Sequence, residues 1–355
     1  MSFVRLTPDD FVVSSDAISS TCWTTGNPTL TAFYTSSTQV NGSSGDFYIN
    51  VFDTPSTSSI QFAIAYGNAA GSGSENYSQL VDGKSPTSTV FGQWQDLVLG
   101  DENSNFTWGT TITGSEFFAL PIERQCYKES IFLGSLTLRL RGPSGNFITL
   151  TDNSNYVTSV QYTGGGTRVF QLITGSAGVI SPNALNTNGY SSNSGSYGWL
   201  LPDIGTILLN PMALAVPAAN GGIALGYSGS FAWGSNVVVS SASSAPNLSA
   251  NVSLLNAITG SGASSFQLNS QETITSDFVF VRPRSSEFNY SENPSFISGS
   301  TGEVLYSNFI NNPQTYITTI GLYNDTNELL AVAKLSRPLS KNFTKEALIR
   351  CKLDF

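Results

Sequence analysis

The residues that could do chemistry here are carboxylates and cations, with no base of the usual kind beside them. The chain has no histidine. That removes Ser-His-Asp and Cys-His catalysis, histidine metal sites and the commonest general base. Glu116 with Glu123, or Asp101 with Glu102, could act as a glycosidase pair, because that reaction needs only two carboxyl groups. Nothing around either pair marks it, and structural roles are expected for all four. Asp152-Asn-Ser-Asn155 starts like a calcium loop but lacks the glycine and the closing glutamate of that pattern. There is no Walker A loop, and no GxGxxG opens a helix after a strand. No catalytic residue, metal ligand or cofactor is assigned, and the expectation is a protein that is not an enzyme.

Binding residues are easier to find. Arg124, Lys128, Arg139 and Arg141 fall close together in sequence with Glu123 and Glu129, as an anion site or a salt-bridged subunit contact, the second being favoured. Arg337, Lys341, Arg350 and Phe355 join them as candidate assembly contacts. Tyr190, Tyr197, Trp199 and Trp233 lie in a neutral stretch rich in Tyr, Asn and Ser, a composition used by recognition loops. They are the candidate exposed aromatics for a host surface glycan or receptor. Phe91 and Trp94 read instead as core.

The elements that must hold these residues are mostly strands. Tyr316–Tyr323 and Glu328–Leu335 are apolar runs around the turn Asn324-Asp-Thr-Asn327, a hairpin signal. Ala347, Ile349, Cys351, Leu353 and Phe355 alternate with Leu348, Arg350, Lys352 and Asp354, the period of a strand with one buried face. Leu136, Leu138 and Leu140 alternate in the same way. Phe47–Phe52, Ile60–Tyr66, Val169–Ile173 and Ile207–Leu209 are further strands, and Gly67–Ser85 is a loop. One helix is predicted over about 86–99, with Ser85 as N-cap, Pro86 at its first position and Gly100 as C-cap.

Charged residues are 11 % of the chain, against roughly 25 % in ordinary soluble domains. Ser, Thr, Asn and Gly take their place, which suits an all-β protein largely covered by neighbours, or a secreted one. The net charge of −9 and pI of about 4.5 argue against nonspecific nucleic-acid binding. No stretch approaches the roughly 20 apolar residues of a membrane span, and the start of the chain does not read as a signal peptide. Cys22, Cys126 and Cys351 are widely spaced and read as small buried hydrophobes. Between Gly142 and Gln271 the only charges are Asp152, Arg168 and Asp203, whereas 8 of the 15 basic residues follow Asp277. This contrast predicts an antiparallel β-sandwich-like base made of residues 1–141 and 272–355, with one helix, and an inserted charge-poor β lobe over 142–271.

Asn289–Phe296, Thr315–Asn324, Leu329–Pro338, Phe343–Arg350 and Lys352–Phe355 together resemble the C-terminal block of virion structural proteins. Those proteins, associated with the tail or baseplate, belong to contractile-tailed phages, notably large marine and cyanobacterial myoviruses. Ile60–Gly67, Gly71–Ser74 and Tyr127–Glu129 carry a similar likeness nearer the start. The resemblance implies a structural particle component without catalytic residues. Its partners would be other tail or baseplate proteins and itself, with assembly in the host cytoplasm and release by lysis. Capsid decoration, a vertex position or a receptor-binding tail module are the alternatives.

Overall fold

The computed structural model describes residues 4–36, 48–55, 59–71, 86–109, 112–181, 195–226, 247–261, 266–290 and 293–354. The protein is mainly β, built from antiparallel sheets, one of them large and curled into a half-barrel. The strands in chain order begin with β1 (Phe11–Thr21), β2 (Thr29–Leu30), β3 (Tyr48–Phe52), β4 (Ile60–Asn68), β5 (Phe106–Trp108), β6 (Ile112–Gly114) and β7 (Glu116–Pro121). They continue with β8 (Ser130–Ile131), β9 (Thr137–Arg141), β10 (Phe147–Asp152), β11 (Gln161–Tyr162), β12 (Arg168–Ser176), β13 (Val179–Ile180), β14 (Gly198–Leu201) and β15 (Thr206–Leu209). The last are β16 (Phe266–Gln267), β17 (Asn269–Val281), β18 (Gln314–Tyr323), β19 (Leu329–Asn342) and β20 (Ile349–Asp354). The α-helices among the described residues are α1 (Pro86–Trp94), α2 (Pro211–Ala215), α3 (Asn247–Thr259) and α4 (Ser307–Asn311).

The chain divides into two compact units, Ile18–Glu272 and Met1–Ala17 with Thr273–Phe355. The expected break at 141/142 is not a boundary. It falls in the hairpin joining β9 to β10, where Arg141 pairs with Phe147. Residues 142–271 are not a separate lobe, because β10, β12, β14 and β15 are central strands of the large sheet, ordered β2-β16-β9-β10-β12-β14-β15-β7-β4-β3. The stretch is poor in charge because β14 and β15 are buried along their whole length, and an unpaired charge there would be expensive.

Alternation along these strands feeds two separate cores. Phe117, Ala119, Trp199, Leu201 and Leu208 point to one side, with Phe91, Phe106 and Trp108. Phe118, Leu120, Leu200, Ile207 and Leu209 point to the other, with Trp23, Phe62 and Phe266. A sheet covered on both faces needs near-continuous apolar strands, as these are. Helix α1 covers the first side: the Phe91 ring stacks on Phe117 at 5.4 Å. It begins at Pro86, as expected, and the turn continues as a π-helix over Gln95–Leu99. Gly100 closes it in a left-handed conformation, φ 71°, donating its N–H to Asp96 O. The expected cap Ser85 lies outside the described residues, as does 72–85 of the expected loop. Helix α3, a second long helix, contributes Ala250, Leu254, Ala257 and Ile258 to the other core.

Candidate assembly surface

The smaller unit places its apolar residues differently. Residues 276–281 of β17 pair with β20 from Ser276↔Asp354 to Val281↔Ile349. β18 and β19 form a long hairpin. Its turn is built as the sequence indicates: Asn324 Oδ1 accepts the N–H groups of Thr326 and Glu328. Asn327 takes the left-handed backbone, φ 62°. The register slips between Ile317↔Leu339 and Thr319↔Lys334. That irregularity accommodates Arg337 and Pro338, since proline has no N–H to give a ladder. β19 therefore runs on past Leu335, the end of the apolar run read from the sequence, to Asn342.

One face of the hairpin is inward. Ile320 packs with Val279 and Cys351, and half-buried Leu6, Val281, Ile317, Leu322, Ala333, Ile349 and Leu353 surround them. Ile320, Val279 and Cys351 are the only buried apolar residues among those described in this unit. The opposite face is also apolar and is open: Tyr316 is 61 % exposed, Val332 58 % and Leu330 67 %. Leu329, Leu339, Phe343 and Leu348 are exposed as well. Around α4, the Phe296 and Phe309 rings meet edge to face at 4.7 Å, while Tyr290, Leu305, Tyr306 and Ile310 are left in solvent.

Electrostatics hold the edges. Lys352 pairs with Asp354 at 2.8 Å, and Asp354 also accepts from Ser276 Oγ at 2.6 Å. The Lys352 and Ser276 hydrogen bonds hold the Asp354 carboxyl below the usual range. Asp10 accepts from the N–H and hydroxyl of Thr7 and pairs with Arg282 at 3.0 Å. The Thr7 bonds, then Arg282, bring its pKa down to about 2. Burial pushes the Cys351 thiol up. Cys22 and Cys126 are also buried and free, with raised thiol pKa values dominated by burial.

The proposed contact residues separate on inspection. Arg350 is exposed, its guanidinium 5.2 Å from the Phe278 ring centre, and Arg337 is exposed on β19. Lys341 is not a contact residue: it is 1 % exposed. Its ammonium donates to Ser285 O at 3.1 Å, Asn289 Oδ1 at 3.0 Å and Glu287 O. All three of its donors are used to pin the 285–289 loop. Burial lowers its pKa.

In the larger unit Arg124 donates to Tyr127 O at 2.5 Å and sits over the Tyr127 ring. Lys128 pairs with Glu272. Arg139 and Arg141 both lie beside the Phe147 ring, at 4.1 and 5.8 Å.

The aromatic set also needs correction. Tyr197 is fully buried, donating its hydroxyl to Gly221 O, and Trp199 is buried 5.3 Å from Trp108. Neither is an exposed recognition residue: Trp199 lies on β14 and Tyr197 just before it, each inside one of the two cores, which the Ser- and Gly-rich approach to the strand concealed. Tyr190, Trp233 and Phe355 lie outside the described residues.

Glu116 is a buried acceptor for Tyr66 Oη at 2.6 Å and Asn68 Nδ2 at 3.3 Å. Asp152 accepts the Gly134 N–H at 3.0 Å, a structural use of the calcium-like segment. Among the described residues no cluster of three metal-ligating side chains occurs, and no helix is long and apolar enough to cross a membrane. The open hairpin face was not anticipated as a surface. Its signal was present, since Leu329-Leu-Ala-Val-Ala lacks the polar alternation of a strand with one wet face. No protein-family model, characterised protein or solved structure matches the chain.

Proposed function

We propose that this protein is a structural, non-enzymatic component of a bacteriophage virion, sited in the tail or baseplate. It assembles there with other tail proteins and with copies of itself, in the host cytoplasm, before release by lysis. The observation that carries the reading is the open apolar face of the β18–β19 hairpin. A unit of about 100 residues that buries so few side chains is poorly stabilised alone. An exposed apolar patch beside unpaired strand edges is the usual mark of a protein interface. The residues that resemble the C-terminal block of phage tail proteins are the ones that build this unit, which adds support.

Fractionating purified particles tests the reading. Tails and heads are separated and each is probed for this chain by mass spectrometry. Recovery with tails or baseplates supports it, and the ratio to the tube protein gives the ring symmetry. Recovery with tail-less heads would replace it with capsid decoration or a vertex position. Absence from both would remove the particle reading altogether.

A further inference from the structure

The large sheet carries a further surface feature. Strands β9, β10, β12 and β13 frame an open depression of about 600 Å³, within the range of small-molecule sites. Arg139 and Phe147 line it, with Thr137, Thr149, Ser176 and Val179 among the other residues. The register sets Arg139 opposite Thr149 and Arg141 opposite Phe147, so both arginines share one face. Arg141 reaches the Gly260 carbonyl at 3.5 Å. The half-buried Arg139 guanidinium rests over the Phe147 ring and forms no hydrogen bond or ion pair among the described residues. No described carboxylate lines the depression.

Its rim is built under strain. The turn joining β12 to β13 places Ala177 at φ 47° and Gly178 at φ 73°. The first is costly for a residue with a Cβ. Hydrogen bonds hold it there. Ala177 N–H donates to Thr137 Oγ1 at 2.9 Å and to Leu136 O at 3.1 Å, and Gly178 N–H donates to Thr151 Oγ1 at 2.8 Å. Thr137 Oγ1 and Ser176 Oγ are 3.1 Å apart. A strained turn fixed by several neighbours, at the edge of a depression with an unused cation, is a pattern of binding sites.

The chemistry selects the ligand. A guanidinium positioned by a ring and lacking a partner offers a planar fork that fits a carboxylate. Among the described residues Arg139 is the one cation lining the depression, which suits a singly charged group. The surrounding hydroxyls suit a polyol, and Val179 offers apolar surface to the C–H face of a sugar ring. We propose that this depression binds a carboxylated saccharide through a hexuronic-acid unit, with its carboxylate on Arg139 and its hydroxyls on Thr149 and Ser176. This inference does not depend on the chain belonging to a particle.

Titration calorimetry of the full chain tests it with three probes: a galacturonic-acid dimer, the neutral galactose dimer and an aspartyl dipeptide. The uronate dimer should bind, and both other probes should bind at least about tenfold more weakly. Arg139→Gln should weaken uronate binding by about tenfold or more, and Thr149→Val by a few-fold, with unchanged melting temperatures. No uronate binding, or equal binding by Arg139→Gln, would overturn the site. Equal binding of the galactose dimer or the dipeptide would overturn the ligand assignment.

Discussion

The two units solve the burial problem in opposite ways. In Ile18–Glu272 the central strands β7, β14 and β15 have apolar residues on both faces, and both faces are covered within the unit. In the smaller unit the hairpin strands β18 and β19 also have apolar residues on both faces, yet only one is covered. The same type of sequence thus gives a finished core in one place and an open surface in the other. What differs is the supply of covering elements: α1, α3 and a curled sheet in the first, and in the second the β17–β20 pair, which covers one face of the hairpin only. On our reading the smaller unit is completed by another chain.

Four measurements break or sharpen this comparison. The largest effect should come from Phe117→Ala, which removes the ring packed against Phe91 and Phe106. It should cost about 3–5 kcal/mol in chemical denaturation. A loss below about 1 kcal/mol would mean that the first core is not close-packed there.

Next is Lys341→Met, which leaves three acceptors in the smaller unit without their donor. A loss of about 2–3 kcal/mol is expected, read as faster amide exchange over 285–289. Unchanged exchange would show that the lysine does not hold that loop.

The paired change Leu330→Glu and Val332→Lys should alter monomer stability by only about 0.5 kcal/mol, because both side chains already face water. It should abolish concentration-dependent association in sedimentation velocity, or incorporation into particles. Assembly unaffected by both charges would remove the hairpin face from the proposed interface.

The smallest effect concerns acid. The carboxyls of Asp10 and Asp354 have folded pKa values below the ordinary 3.8. The Asp10 contribution is therefore present above the ordinary 3.8 and is lost as pH falls toward 2, and that of Asp354 is lost in the same direction. Asp10→Asn should flatten the fall in melting temperature between pH 4 and 2, and an identical profile would show that the Thr7 and Arg282 contacts do not matter to folding.

Much of the local structure was legible in the sequence, for identifiable reasons. Pro86 and Gly100 mark the two ends of a helical run because one fixes φ and the other tolerates a left-handed backbone. Cys351 with Ile349 and Leu353 announced a strand because their period is two. Helix α3 was overlooked because Asn and Ser interrupt its apolar residues, although Ala250, Leu254, Ala257 and Ile258 keep helical spacing. Of the proposed site residues, Arg350 and Arg337 were recognisable as exposed. Tyr197, Trp199 and Lys341 were not recognisable as buried, because burial depends on what other parts of the chain lie across them.

The sequence by itself determined the β character, the main helix, the C-terminal hairpin and the lack of histidine chemistry, since these follow from residue type and short-range period. Only the tertiary structure decided where the units divide, because strands far apart in sequence pair across the expected boundary. It also decided which apolar faces are covered, and it set Arg139 beside Phe147 with its donors unused. Those properties belong to contacts between distant segments, and no local pattern encodes them.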